Sequence, residues 1–214
     1  ARDGFPVHLV ARREQNLDSV AHAISELGGR VASTPADVLD RDRAGAAVTA
    51  ARREFSFVHA AVNCVGVNIP RRALHELTPD GWARTIAGNL DVAFSITQSV
   101  LPMFREQRSG LLVHVASRSV LSADRSGAAY QAAKAGVAAL AHATMLEESG
   151  RGIRVSVVYP GMVDTAFVQH RPEPPSTDEL SRALQPEDVA DLVGALFGLP
   201  SRAYVPDISI FPVK

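Results

Sequence analysis

Cysteine is nearly absent. Cys64 is the only one, so an internal disulfide is excluded, and so are the zinc and dithiol motifs that need several thiols. The seven histidines are scattered without paired ligand spacing, and no metal is expected. No apolar run is long enough to span a bilayer or form a signal-peptide core. Charge of one sign is also lacking: the net charge is −1, with no block of like charges, which leaves no electrostatic footprint for nucleic acid or an anionic membrane. These absences point to a cytoplasmic protein whose partner is a small molecule. Of the 22 basic residues only Lys134 and Lys214 are lysines. An internal lysine in so arginine-rich a chain needs a reason.

What is present is apolar and periodic. With 214 residues, 46% of them hydrophobic, the chain suits one compact domain over residues 1–214 with a substantial core. Runs rich in β-branched residues at 7–10, 31–34, 57–62, 111–116, 153–159 and 208–211 predict strands. Stretches of helical periodicity at 17–27, 41–55, 79–105, 128–148 and 186–197 lie between them. The alternation implies βαβ units and a parallel sheet. Helix punctuation agrees: Thr78-Pro79 as N-cap and first helical residue, Gly28-Gly29 as a stop, and Gln185-Pro186-Glu187-Asp188 as an acidic start. Residues 168–177, rich in proline, read as a loop.

Ala1-Arg2-Asp3-Gly4 resembles the tail of a helix with Gly4 as its cap, running straight into the first recognisable strand. A strand and a helix are therefore expected to be missing from the start of this chain, and the native protein is expected to carry them.

Tyr130 and Lys134 stand four apart in a strongly helical stretch, so their side chains share a face. With three tyrosines and two lysines in 214 residues, a chance pair at this spacing is rare. A tyrosine that hands a proton to a carbonyl near neutral pH needs its pKa brought down from ~10 toward 7, about 4 kcal/mol. A cation ~4 Å away is expected to supply that. Ser117 lies thirteen residues before Tyr130, at the carboxyl end of a predicted strand, where ligands bind in open α/β sheets. Its hydroxyl is suited to orienting a carbonyl oxygen, and Ser119 is the nearest competitor.

Ser117, Tyr130-x-x-x-Lys134 and a following strand that ends in Pro160-Gly161-Met162-Val163-Asp164-Thr165 resemble the short-chain dehydrogenases/reductases. Asp37-Val38, Asn63-Cys64-Val65-Gly66 and Asn89 fall in that family's order, so the resemblance covers essentially the whole chain. It implies an α/β, Rossmann-like, doubly wound parallel sheet whose middle strand and glycine-rich pyrophosphate turn are those apparently missing. It also implies an oxidoreductase that interconverts a carbonyl and an alcohol. Tyr130 would be the general acid/base, Lys134 would lower its pKa and bind the nicotinamide ribose, Ser117 would orient the carbonyl, and Asn89 would support proton exchange at Lys134. Asp37 and Val38 would touch the adenine; Asn63 and Gly66 would line the adenosine path; Pro160, Gly161, Val163 and Thr165 would border the nicotinamide.

The first recognisable strand ends in Ala11-Arg12-Arg13 without the acid that would receive an NAD ribose hydroxyl, and a guanidinium there suits the 2′-phosphate of NADP. NADP(H) is the expected cofactor, with Arg12 the better contact and Arg13 its neighbour. The substrate loop is expected at 166–183, with His170 and Arg171 among prolines. The resemblance also implies a homotetramer or homodimer built on the 79–105 and 128–148 helices. A non-catalytic nucleotide-binding protein on the same fold stays open as the alternative. A serine hydrolase does not, since no G-x-S-x-G elbow occurs.

Overall fold

A computed structural model describes residues 4–169 and 171–213. The expected helix tail at Ala1 to Asp3 and the substrate-loop residue His170 lie outside the described residues.

Six strands form among the described residues, all parallel to their neighbours: β1 (Val7–Ala11), β2 (Val31–Pro35), β3 (Ala60–Asn63), β4 (Gly110–Val115), β5 (Ile153–Pro160) and β6 (Asp207–Ile210). β1 and β2 pair as a two-stranded sheet, and β3-β4-β5-β6 make a four-stranded one. No described strand bridges β1 and β3. Val10 on β1 and Val62 on β3 are correspondingly exposed, at 38% and 41%.

The central strands alternate in the faces they cover. Leu112, Val155 and Val157 pack with Phe104, Ala138 and Ala141 from the helices α4 (Val92–Gln107) and α5 (Ala128–Glu148). Leu111, Val113 and Val158 turn the other way, onto Val193 and Leu196 of α8 (Pro186–Phe197). Each such side chain removed from water contributes about 1.5–3 kcal/mol, which sets the register, because a one-residue slip would reverse every face. Helices on both faces make the sheet doubly wound. Small residues let α5 sit close: Ala129, Ala133, Val137 and Ala141 are each at most 4% exposed.

α1 (Glu14–Glu26) and α2 (Arg41–Phe55) occupy the expected stretches, and the Asp40 carboxylate caps α2 by accepting from Asp42 N and Arg43 N. Gly28, with φ +74°, turns the chain out of α1. Two expectations change. The helix foreseen over 79–105 is three pieces: α3 (Pro79–Ile86), a π-helical turn (Ala87–Asp91) and α4. Gly88 lets Val67 pack against the turn, since a Cβ there would lie 2.3 Å from Val67 Cγ2. The loop foreseen over 168–177 is bordered by two short helices, α6 (Ala166–Gln169) and α7 (Thr177–Ser181). α7 is started by a capping box in which Ser176 and Glu179 satisfy each other's backbone N–H groups. No described helix is long and apolar enough to cross a membrane.

Candidate active site

Parallel strands end together, and the carboxyl ends of β3, β4 and β5 bring Asn63, Ser117 and Pro160 to one edge. Asn63 is 3% exposed; its Oδ1 accepts from Val65 N at 3.0 Å and so bends the chain away from the sheet. The bend delivers Gly66 to a crowded place. A Cβ at Gly66 would sit 3.1 Å from Asn89 Oδ1 and 3.2 Å from Lys134 Nζ, so only glycine fits without displacing one of them.

Asn89 is held inside the π-helical turn. Its Nδ2 donates to Thr85 O and Val67 O, both at 2.8 Å, and its Oδ1 accepts from Val67 N at 3.3 Å. The wider π ring is what turns this side chain toward the strand loop, a use of π-bulges that recurs at functional sites.

Tyr130 and Lys134 lie one turn apart on the buried face of α5. Lys134, 4% exposed, donates through Nζ to Val115 O at 3.0 Å and Val65 O at 3.4 Å. Burial pulls its pKa down to about 8, with the Cys64 thiol acting weakly the other way. Its ammonium lies 5.9 Å from the centre of the Tyr130 ring.

Tyr130 departs from expectation. Burial pushes the phenol up to about 12; the Ser117 hydroxyl and the charges of Arg171 and Arg72 oppose this, and Asp124 adds to it. The phenol is not brought toward 7, because desolvation of the buried phenolate outweighs the groups that favour it. Ser117 receives Ser119 N at 3.2 Å and Ser119 Oγ at 3.0 Å, so the two candidate serines form a pair. Ser119 is the buried member at 4% exposure, which leaves Ser117 as the one directed to the edge.

Beyond β5, Gly161 N donates to Ile210 O at 2.8 Å, and a Cβ on Gly161 would strike Pro212 Cδ at 2.7 Å. Val163 bridges Leu184, and Thr165 O accepts from Val168 N as α6 begins. Phe167 of α6 places its ring 6.0 Å from that of Tyr130. No signal in the sequence singled out Phe167; the S-x-x-E box of α7 was readable.

At the far end of the edge, Arg12 and Arg13 follow β1 with exposed side chains, and neither makes an ion pair among the described residues. Arg13 faces the Asn16 amide. Asp37 uses Oδ1 to accept from Leu39 N at 3.1 Å and keeps its second oxygen for another partner. Residues 12–13 and 37–38 follow β1 and β2, which pair in a different sheet from the strands whose ends carry Asn63, Ser117 and Pro160.

A doubly wound parallel sheet with a buried Tyr-Lys helix pair at its carboxyl edge defines the class of nucleotide-dependent oxidoreductases. The chain matches the family described as short chain dehydrogenase over residues 1–175. It belongs to that family and is an oxidoreductase of it. It is 31% identical over 199 residues to the 3-oxoacyl-(acyl-carrier-protein) reductase of Thermotoga maritima, covering 90% of this chain and 80% of that one. Among solved structures it resembles an alcohol dehydrogenase of the archaeon Thermococcus sibiricus complexed with 5-hydroxy-NADP, with TM-score 0.85, 25% identity and coverage of 98% of this chain and 86% of that one. A xylitol dehydrogenase bound to NAD+ shares the fold at TM-score 0.86 and 19% identity, over 98% of this chain and 89% of its own.

Proposed function

We propose that the protein is an NADP(H)-dependent oxidoreductase that interconverts a carbonyl and an alcohol, with Tyr130 as general acid/base. The observation that carries this reading is the buried cluster in which Lys134 Nζ, Val65 O, Gly66 and Asn89 Oδ1 meet beside Tyr130.

The residues fit a nicotinamide dinucleotide. An ammonium has three donors, and Lys134 uses two on Val115 O and Val65 O, which leaves one for a ribose hydroxyl. Arg12 offers an exposed guanidinium where a 2′-phosphate would lie, and Arg13 supports it. Asp37 and Val38 would meet the adenine, Asn63 and Gly66 the adenosine path, and Pro160, Gly161, Val163 and Thr165 the nicotinamide half. The cofactor supplies or accepts the hydride.

The chain's own residues do the rest. Ser117 Oγ holds the substrate oxygen against the phenol, and Tyr130 Oη passes its proton to that oxygen as negative charge builds there. The phenol holds its proton at neutral pH, so Tyr130 is in its acid form when the substrate binds. Asn89 fixes the loop through Val67, next to the Gly66 that packs against the lysine, and supports proton exchange at Lys134. The alternative of a non-catalytic nucleotide-binding protein loses ground, because all four reacting-centre residues sit at one edge. A homodimer or homotetramer using α3, α4 and α5 is consistent with the exposure of Trp82, Phe94 and Leu146, at 42%, 42% and 83%.

The test is a titration with NADPH and NADH followed by nicotinamide fluorescence. NADPH should bind more tightly, and Arg12→Ala should weaken NADPH by about tenfold or more while sparing NADH. Aldehydes and ketones should be reduced by the wild type and not by Tyr130→Phe. Equal affinity for the two nucleotides would refute the NADP assignment, and full activity in Tyr130→Phe would refute the acid.

A further inference from the structure

Lys134 joins two carbonyls that belong to different strands. Val115 O, 3.0 Å from Nζ, ends β4; Val65 O, 3.4 Å away, stands in the loop that leaves β3. Both can bind one ammonium only while the ends of β3 and β4 keep their spacing. Asn63 and His114 are partners in register at the point where the pairing of β3 with β4 stops. Past them the two strands are joined through side chains.

His114 is fully buried, at 0% exposure. Its Nδ1 accepts from Asn63 Nδ2 at 3.0 Å, while Asn63 Oδ1 accepts from Val65 N at 3.0 Å. An asparagine amide fits its space in two orientations related by a half-turn, and the partners decide between them. The bare ring nitrogen requires Nδ2, which leaves Oδ1 for Val65. Without an acceptor at position 114 that preference is lost, and Nδ2 is left buried with no partner. The effect reaches Lys134. Val65, fixed through its amide, presents its carbonyl to Nζ, and the next residue has no slack: a Cβ at Gly66 would lie 3.1 Å from Asn89 Oδ1 and 3.2 Å from Lys134 Nζ. On β4, His114 is followed directly by Val115, which carries the other carbonyl. One ring, anchored at its far nitrogen 3.2 Å from Thr97 Oγ1 of α4, stands behind both acceptors.

We propose that His114 is a positioning residue for the reaction: it ties the ends of β3 and β4 together so that Val65 O and Val115 O hold Lys134 Nζ with its third hydrogen directed to the nicotinamide ribose. This rests on the reading of Lys134 as the ribose contact. Being fully enclosed, His114 acts only through Asn63 and the backbone. An ammonium bound by two fixed acceptors aims its remaining hydrogen in one direction; bound by one, it rotates, and the benefit of placement is lost.

The experiment compares the wild type, His114→Leu and Val113→Ala, the last of which weakens β4 from its other face, toward α8. Lys134 and Lys214 are the only lysines of the chain. Limiting acetic anhydride followed by peptide mass spectrometry gives the acetylation rate of Lys134, with Lys214 as the reference in the same molecule. NADPH affinity is read alongside by nicotinamide fluorescence. In His114→Leu, Lys134 should react about tenfold faster relative to Lys214, and NADPH should bind about tenfold more weakly. Val113→Ala should lower the melting temperature yet leave both readings near those of the wild type. Wild-type labelling in His114→Leu overturns the proposal. Equal acceleration in Val113→Ala also overturns it, since any loosening of β4 would then free the lysine. Should His114→Leu not fold, His114→Asn, too short to reach Asn63 and Thr97 together, is read by the same criteria. Failure of the ribose reading looks different: NADPH would then not protect Lys134 from acetylation in the wild type, while the labelling rates without nucleotide still decide on His114.

Discussion

Asn63 donates through Nδ2 to Nδ1 of His114 at 3.0 Å, deep between β3 and β4. The ring's other nitrogen lies 3.2 Å from Thr97 Oγ1, and that hydroxyl donates its own hydrogen to Ala93 O at 2.7 Å. The hydroxyl must therefore accept from the ring, so Nε2 carries the proton and His114 is neutral. A chain of hydrogen bonds then runs from α4 through His114 and Asn63 to the Val65 amide, one residue's carbonyl away from Lys134.

Burial, reinforced by the Lys134 charge, lowers the His114 pKa to about 4. The unfolded histidine takes up its proton near pH 6.5 and the folded one does not until about 4. Between those values the unfolded state binds more protons, so stability falls as pH falls, by up to about 3 kcal/mol. Urea melts from pH 7 to 4 should show this slope in the wild type and a shallower one in His114→Asn. Parallel slopes would mean that folding does not lower the His114 pKa. At pH 7 the variant should also be less stable by about 1–3 kcal/mol, because Asn63 and Thr97 lose a buried partner.

Gly66→Ala tests the crowding around Lys134. The added methyl must displace Asn89 Oδ1 or Lys134 Nζ by a few tenths of an ångström, which disturbs the reacting centre more than the core. The expected result is a fall in kcat of about tenfold with the melting temperature nearly unchanged. Unaltered kcat would show that the lysine is not held where the chemistry needs it.

Lys134 gives a slope at the opposite end of the pH scale. Its folded pKa is about 8 and its ordinary value 10.5, so below 8 the fold must bury an ammonium that the unfolded chain keeps in water. As pH rises from about 8 toward 10 the folded lysine sheds its proton first, and the wild type should gain stability relative to Lys134→Met, by up to about 3 kcal/mol. Chemical denaturation at pH 7.5, 8.5 and 9.5 reads the difference. The same variant should lose carbonyl reduction at every pH.

Much of this was legible because local signals agreed. α2, α5 and α8 run between the residues that periodicity marked, and Thr78 and Gln185 start helices where their sequences said they would. Strand periodicity gave the edge on which Ser117 and Asn63 meet. The π-helical turn was not legible, since the contacts that surround it, such as Gly88 against Val67 and Asn89 on Val67, join residues far apart along the chain. Nor was the tyrosine's raised pKa: the sequence places Lys134 one turn away but does not reveal how completely folding takes the phenol out of water. Arg72 and His114 carried no pattern at all, and their significance comes only from what folding packs around them.

Glu148 closes α5 as a carboxylate whose side chain is 1% exposed. Arg105 of α4 grips both of its oxygens, Nε donating to Oε2 at 3.0 Å and Nη2 to Oε1, while Arg151 Nη1 donates to Oε2 at 3.1 Å. Chiefly through the hydrogen bonds from Arg105, the carboxyl is held below its ordinary range. A depressed carboxyl contributes stability above its ordinary pKa, and that contribution is lost as pH falls through the folded value. The advantage of the wild type over Glu148→Gln should therefore shrink in acid. Arg105→Ala removes the larger of two partners from a buried charge, and the half-exposed position of Arg105 keeps the cost near 1–2 kcal/mol. Adding Glu148→Leu to Arg105→Ala should recover part of that loss, because no charge is then left in the core. If instead the double variant is less stable than Arg105→Ala alone, Glu148 contributes through Arg151 and the backbone, and the join between α4 and α5 does not depend on the arginine.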